Sequence, residues 1–306
     1  MTELTRRDFG RLALAGLAIP ALARARTVNG VKLGVQTYSF RELPRTPGGD
    51  ATDAIIAAMT ACGLSECELW APQIEPAAAP AARGARPSAE DQQKAREDLR
   101  KWRTDTPLDY FRDIARKFKA AGHSIHAYNF SFNSPNMSDG EIDRAFDITK
   151  ALGAEIITAS TTLTMARRVA PFAEKHKMVV AMHNHSQTDK PDEFAKPESF
   201  AAAMQISKYF KVNLDIGHFT AANYDAVAYI REHHADITNL HLKDRKKNQG
   251  DNVPWGEGET PIREVLQLLK KERWPIPAYV EYEYRGAAGA VEEVKKCAAF
   301  ARQALA

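Results

Sequence analysis

Beyond residue 30 the chain alternates short apolar runs with longer stretches whose apolar residues recur at helical spacing. The short runs predict strands at Val31–Ser39, Cys67–Trp70, Ser124–Asn129, Glu155–Ser160, Met178–His183, Lys211–Asp215, Ile237–His241 and Ala278–Tyr282. The longer stretches predict helices at Ala51–Cys62, Ala89–Arg103, Pro107–Ala121, Asp139–Leu152, Leu163–Lys177, Pro197–Tyr209, Tyr224–His233, Pro261–Arg273 and Ala288–Leu305. Gly63, Gly122 and Gly153 follow three of these helices, where glycine commonly ends a helix. Residues 72–88, rich in Pro, Ala, Gly and Arg, read as a loop. Strands alternating with helices imply a parallel sheet, and eight repeats imply its closure. The predicted fold class is α/β, a single-domain (β/α)8 TIM barrel over residues 27–306. A doubly wound sheet would want a glycine-rich phosphate turn after the first strand. Gln36, Tyr38 and Phe40 stand there instead.

The first 26 residues follow a different pattern. Arg6-Arg7-Asp8-Phe9 precedes the apolar run Leu12–Leu22 and the small-residue end Ala23-Arg24-Ala25. A charged start, a short apolar run and small residues before a cleavage point make a signal peptide. The paired arginines resemble the twin-arginine motif, which is read by an export machinery that carries folded proteins. The expectation is a twin-arginine signal over residues 1–26 and an exported, periplasmic mature protein. The apolar run is too short to span a bilayer, and no other segment is long and apolar enough to do so.

Composition narrows the function. Of the 306 residues 44% are apolar, ample for one large core, and the net charge is +3 with both signs mixed. No basic stripe tracks a phosphate backbone, which argues against nucleic acid as a partner. Three cysteines, Cys62, Cys67 and Cys297, form no CxxC pair and read as small buried apolar residues. The sequence leaves the oligomeric state open, a homo-oligomer included.

The chemistry gathers at strand ends. His183, Asp215, His241 and Glu281 each close an apolar run, and in a barrel these ends meet at one mouth. Two nitrogen and two oxygen donors suit one divalent ion. His185 shares a face with His183, as Lys243 does with His241 and Glu283 with Glu281. Lys243 is placed to stabilise oxyanion charge. Gly217 permits a turn that returns His218 to the mouth as ligand, substrate contact or proton carrier. Tyr38, Glu68 and His126 are expected to reach the substrate from the first three strands. Gly256-Glu257-Gly258 beside Trp255 is expected to fold over the site, with Trp255 stacking on a sugar face.

Taken in order, His183-Asn184-His185, Asp215-Ile216-Gly217-His218, His241-Leu242-Lys243-Asp244, Gly256-Glu257-Gly258 and Glu281-Tyr282-Glu283-Tyr284 resemble the xylose-isomerase-like TIM-barrel superfamily, in its sugar phosphate isomerase/epimerase branch. The resemblance implies a divalent metal, commonly manganese, held by His183, Asp215, His241 and Glu281. Where this family usually has Glu-Asn-His on the fifth strand, this chain has His-Asn-His. That exchange makes the site less anionic and more accepting of zinc, cobalt or other borderline metals, with manganese still the first expectation and magnesium also open. It also removes one carboxylate of the usual two-glutamate proton shuttle. The implied activity is isomerisation or epimerisation of a sugar or keto-sugar by proton abstraction next to a carbonyl, with Lys243, His185, His218 and Glu283 as catalytic groups. Two alternatives remain: a metal-dependent lyase eliminating a β-substituent from 3-keto-glycosides, and a non-catalytic exported sugar-binding barrel.

Overall fold

The computed structural model describes residues 27–45, 48–76 and 88–306. The predicted signal segment therefore lies outside the described residues, as does most of the 72–88 loop. A two-residue strand β1 (Thr27–Val28) turns back through Asn29 and Gly30, both at positive φ, to pair antiparallel with β2 (Val31–Gln36). Eight parallel strands follow: β2, β3 (Glu66–Trp70), β4 (Ser124–Asn129), β5 (Ile156–Ser160), β6 (Val179–His183), β7 (Phe210–Asp215), β8 (Ile237–Leu242) and β9 (Ala278–Val280). Each pairs with the next in sequence, and β9 pairs with β2, which closes the barrel.

Helices α1 (Thr52–Cys62), α2 (Ala89–Asp105), α3 (Leu108–Ala120), α4 (Asp139–Ala151), α5 (Leu163–His176), α6 (Pro197–Ile206), α7 (Ile216–Ala221), α8 (Ala226–His233), α9 (Ile262–Glu272) and α10 (Ala290–Leu305) alternate with the strands. Their apolar stripes explain the packing. Phe111, Ile114 and Phe118 of α3, and Ile262, Val265, Leu266 and Leu269 of α9, recur at three- and four-residue steps and are buried. Ser88 and Ser138 form capping boxes with Asp91 and Glu141 that start α2 and α4. The three cysteines are free and buried. Among the described residues no helix is long and apolar enough to cross a membrane.

The helical and strand predictions hold within a few residues at most ends. The first predicted strand is shorter than expected: after Gln36 the chain tightens into a 3-10 turn, Thr37–Phe40, started when the Gln36 side chain accepts a bond from Tyr38 N at 3.0 Å. The shortest strand, β1, and the shortest α-helix, α7, were not predicted, because a two-residue strand and a six-residue helix carry too little periodicity to read.

Candidate metal centre and active-site pocket

The strand ends place the site. Gln36, Trp70, Asn129, Ser160, His183 and Asp215 are the last residues of β2 to β7, His241 is the penultimate residue of β8, and Glu281 directly follows β9. Register brings them level: Ser160 lies opposite His183, and Asp215 opposite His241. Asn184 fixes this alignment. Its side chain accepts from Asp215 N at 2.9 Å and donates to Asp215 O at 3.1 Å, which ties β6 to β7.

His183, Asp215, His241 and Glu281 are all buried, and one donor atom from each lies within 4.8 Å of the others. His183 Nε2 is 3.5 Å from Asp215 Oδ2. His241 Nδ1 is 4.0 Å from that oxygen and 3.1 Å from Glu281 Oε2. Tetrahedral ligands at zinc-like bond lengths stand about 3.4 Å apart, so these separations suit one small ion. The same four atoms, His183 Nε2, Asp215 Oδ2, His241 Nδ1 and Glu281 Oε2, are buried and lack a hydrogen-bond partner. Buried polar atoms are normally satisfied, and four that converge on one point without an aligned hydrogen bond are what a cation would satisfy. The residues present therefore fit a divalent metal. Asp215 also caps α7, but through Oδ1, which accepts from His218 N at 2.6 Å and leaves Oδ2 for the ion.

Lys243 closes the cluster. Its stem crosses directly over Gly217, where an added Cβ would lie 2.2 Å from Lys243 Cγ. Its Nζ is 3.0 Å from Asp215 Oδ2, 3.0 Å from Glu281 Oε2 and 2.5 Å from Glu283 Oε2. The first two contacts are electrostatic rather than aligned hydrogen bonds, since both carboxylate oxygens stay without a hydrogen-bond partner.

The electrostatics follow from burial and these contacts. Burial opposes the charge on Lys243, but Asp215, Glu281 and Glu283 outweigh it and hold its pKa well above the usual lysine value. Burial likewise opposes ionised Asp215 and Glu281, and Lys243 above all outweighs it, so both stay far below the carboxylate range. His241 is pushed well up: burial works against its charge, yet the Glu68 and Glu281 carboxylates dominate. His183 and His218 go the other way. Burial lowers both, and His218 is lowered further by Lys243.

Above the cluster lies a pocket of about 270 Å³. His185, His218, Lys243 and Glu283 line it beside three of the candidate ligands, as does Tyr38, whose ring meets Trp70 edge-on at 4.8 Å. Sequence reasoning missed Gln36, Trp70, Asn129 and Ser160, although each ends its strand and that position was the available signal. It also missed Ser131, Glu193 and Arg245. Glu193 Oε1 accepts from His185 Nδ1 at 2.7 Å. Arg245 donates to His218 Nδ1 at 2.7 Å and to Ser186 Oγ at 3.1 Å.

Four of the expected substrate contacts lie elsewhere. Glu68 is fully buried and outside the pocket lining, bonded at 2.9 Å to the far nitrogen of His241. His126 is half-buried and sits nearer the opposite end of the barrel, beside Tyr279 with ring centroids 5.6 Å apart; the Tyr279 hydroxyl donates to Glu66 at the start of β3. Trp255 turns outward onto Phe300 of α10, with ring centroids 5.9 Å apart, and Glu257 is exposed. The Gly-Glu-Gly loop does not cover the pocket because Asp244 claims its backbone. The Asp244 carboxylate accepts from Gly256 N, Gly258 N and Thr260 N at 2.8, 3.0 and 3.2 Å. A Cβ at Gly258 would fall on that carboxylate.

Solved structures of low identity share the whole fold. A sugar phosphate isomerase/epimerase from Parabacteroides distasonis ATCC 8503 is 17% identical, with TM-score 0.58, covering 89% of this chain and 95% of its own. The IOLI protein with a bound zinc atom is 14% identical, with TM-score 0.60 and coverages of 89% and 98%. An L-ribulose 3-epimerase is 12% identical, with TM-score 0.59 and coverages of 90% and 94%. No curated protein matches the chain. Residues 89–304 match the profile of the family described as Xylose isomerase-like TIM barrel, and with the barrel closed in the same way, the chain belongs to that family.

Proposed function

We propose that the protein is a divalent-metal-dependent isomerase or epimerase of an unphosphorylated sugar or keto-sugar, acting by proton transfer next to a carbonyl. The observation that carries this reading is the convergence of four buried nitrogen and oxygen atoms, one from each of two histidines and two carboxylates, beneath a small polar pocket. A metal held by His183, Asp215, His241 and Glu281 would supply Lewis acidity to the substrate carbonyl and its neighbouring hydroxyl.

The chain's own groups then divide the work. Lys243 holds its ammonium at the pocket floor, where charge developing on the substrate oxygen is stabilised. Glu283 reaches the pocket beside that ammonium and serves as one proton-transfer group. His185 serves as the second. Glu193 accepts its Nδ1–H, which leaves the lone pair on Nε2, near Ser160 at 3.4 Å on the pocket side. This imidazole takes the place of the carboxylate that position 183 gives up. Arg245 lies 2.7 Å from Nδ1 of His218 and the Lys243 ammonium 3.2 Å from its Nε2, so burial and these two cations keep this imidazole neutral and fix its ring at the pocket edge, where it orients the lysine. Tyr38 and Trp70 form an aromatic wall suited to a sugar ring.

Size and charge favour a single unphosphorylated sugar. The volume lies near the low end of ligand pockets, which run from about 300 Å³ upward. Among the described lining residues Lys243 is the only lysine or arginine, and carboxylates surround it, so no cation is left for a phosphate. We further propose export through the twin-arginine route on the strength of Arg6 and Arg7. Elemental analysis of protein purified without added metal, followed by a keto-sugar screen, tests the function. About one equivalent of manganese, zinc or cobalt with turnover of a keto-sugar supports it. Protein that takes up no divalent metal defeats it.

A further inference from the structure

Glu68 is a fully buried carboxylate with no lysine or arginine beside it, held by four amide side chains and the ring of His241. Its Oε1 accepts from Gln36 Nε2 at 2.5 Å and Asn129 Nδ2 at 3.0 Å. Its Oε2 accepts from Asn239 Nδ2 at 2.7 Å, His241 Nε2 at 2.9 Å and, more distantly, Asn213 Nδ2 at 3.4 Å. These side chains come from β2, β4, β7 and β8, so the hub spans the barrel interior. A TIM-barrel interior is ordinarily filled by layers of branched apolar residues. An ionised carboxylate there is costly unless every lone pair is used, and this one is saturated with donors.

The bond to His241 has a consequence for the neighbouring cluster. A carboxylate can only accept, so His241 Nε2 must carry a proton. The nitrogen that faces Asp215 and Glu281 is then Nδ1, one of the four unpartnered buried atoms. His183 is arranged the other way round. Its Nε2 faces the cluster, and its Nδ1 lies 3.5 Å from Ser160 Oγ.

We propose that Glu68 is a positioning residue for the metal centre: it fixes Nδ1 of His241 as the ligating nitrogen and sets a third negative charge behind the two ligand carboxylates. The inference rests on the metal-centre reading above. With a histidine at position 183 only Asp215 and Glu281 bring charge to the ion directly, and Glu68 adds to them through the polarised imidazole. Carboxylates behind ligating histidines act in this way, and their loss typically weakens metal binding about 10- to 100-fold.

Two measurements test it. Protein labelled with 15N-histidine and loaded with 113Cd is read by NMR. One ring should couple to cadmium through Nδ1 while its Nε2 carries a slowly exchanging, low-field proton, and a second ring should couple through Nε2. Separately, Co2+ titration of Glu68→Gln, followed by the visible d–d bands, should give a dissociation constant raised about 10- to 100-fold with altered bands. Glutamine keeps an acceptor for His241 but removes the charge. The wild-type cadmium spectrum decides the matter if Glu68→Gln does not fold. Cadmium bound through Nε2 of both rings, or a folded Glu68→Gln with wild-type cobalt affinity and bands, overturns the role of Glu68 and leaves the metal centre standing. Failure of wild-type protein to bind either ion overturns both.

Discussion

Replacing Lys243 by Met separates the roles of the ammonium from those of its aliphatic stem. Methionine keeps most of the stem that packs over Gly217, so the cavity left is small. The charge is lost entirely. In the metal-free protein Asp215, Glu281 and Glu283 then have no ammonium within reach, although all three touch it in the wild type. Removing one partner of a buried ion pair costs about 3–5 kcal/mol. At roughly 2 °C per kcal/mol for a large domain, the metal-free melting temperature should fall by on the order of 6–10 °C. Bound metal neutralises the same oxygens, so the loss should shrink in the loaded protein. A thermodynamic cycle then requires the variant to bind metal more tightly, by about 1–3 kcal/mol, or roughly 5- to 150-fold. Turnover should nevertheless fall by on the order of 10²–10³-fold, because the group that stabilises oxyanion charge is gone. Calorimetry with and without metal, metal titration and turnover of the screened sugar read all three quantities. A Lys243→Met protein with unchanged metal-free stability, or with weaker metal binding, would refute the assignment of this ammonium as the internal counter-charge.

Other outcomes follow from the same contacts. Gly217→Ala puts a methyl 2.2 Å from Lys243 Cγ and 2.8 Å from Lys243 O, so it should cost about 1–3 kcal/mol and lower turnover by displacing the lysine; wild-type turnover in a folded variant would contradict this. In the metal-free protein Glu68 and Glu281 overcome the opposing effect of burial and keep His241 protonated well above the usual histidine range, and a ligating Nδ1 must lose that proton. Metal uptake near neutral pH should therefore release about one proton and strengthen about tenfold per unit rise in pH; titration calorimetry in two buffers of different ionisation enthalpy measures it, and zero release would count against the ligand set. Replacing Arg6 and Arg7 together by Lys should hold the protein in the cytoplasm, and cell fractionation that still finds it exported would make the arginine pair incidental.

The barrel and the gathering of His183, Asp215, His241 and Glu281 at its mouth were both legible in the sequence for one physical reason. A parallel strand buried on both faces reads as an unbroken apolar run, and the polar residue that ends it marks the mouth. His183, Asp215 and Glu281 stand at such breaks, and His241 is one residue short of one. Depth inside the barrel was not legible. Glu68 and His126 point inward as expected, but sequence alternation gives the face of a strand and not the layer, and both lie below the pocket. Loop direction was hidden too. Gly256 and Gly258 looked like hinges of a lid, whereas their backbone amides serve the carboxylate of Asp244, a residue whose own role only the fold reveals. Glu193 was beyond reach, since it orients His185 from a loop eight residues on, with no periodic pattern to place it.

On the proposed mechanism, metal at His183, Asp215, His241 and Glu281 makes a carbon-bound proton labile. The most direct measurement is loss of the proton NMR signal next to the carbonyl of a keto-sugar in D2O, with metal-loaded wild type beside Asp215→Asn. The loaded wild type should exchange the proton and Asp215→Asn should show no exchange above background and retain no metal by elemental analysis. Exchange at the wild-type rate by metal-free Asp215→Asn would contradict this mechanism.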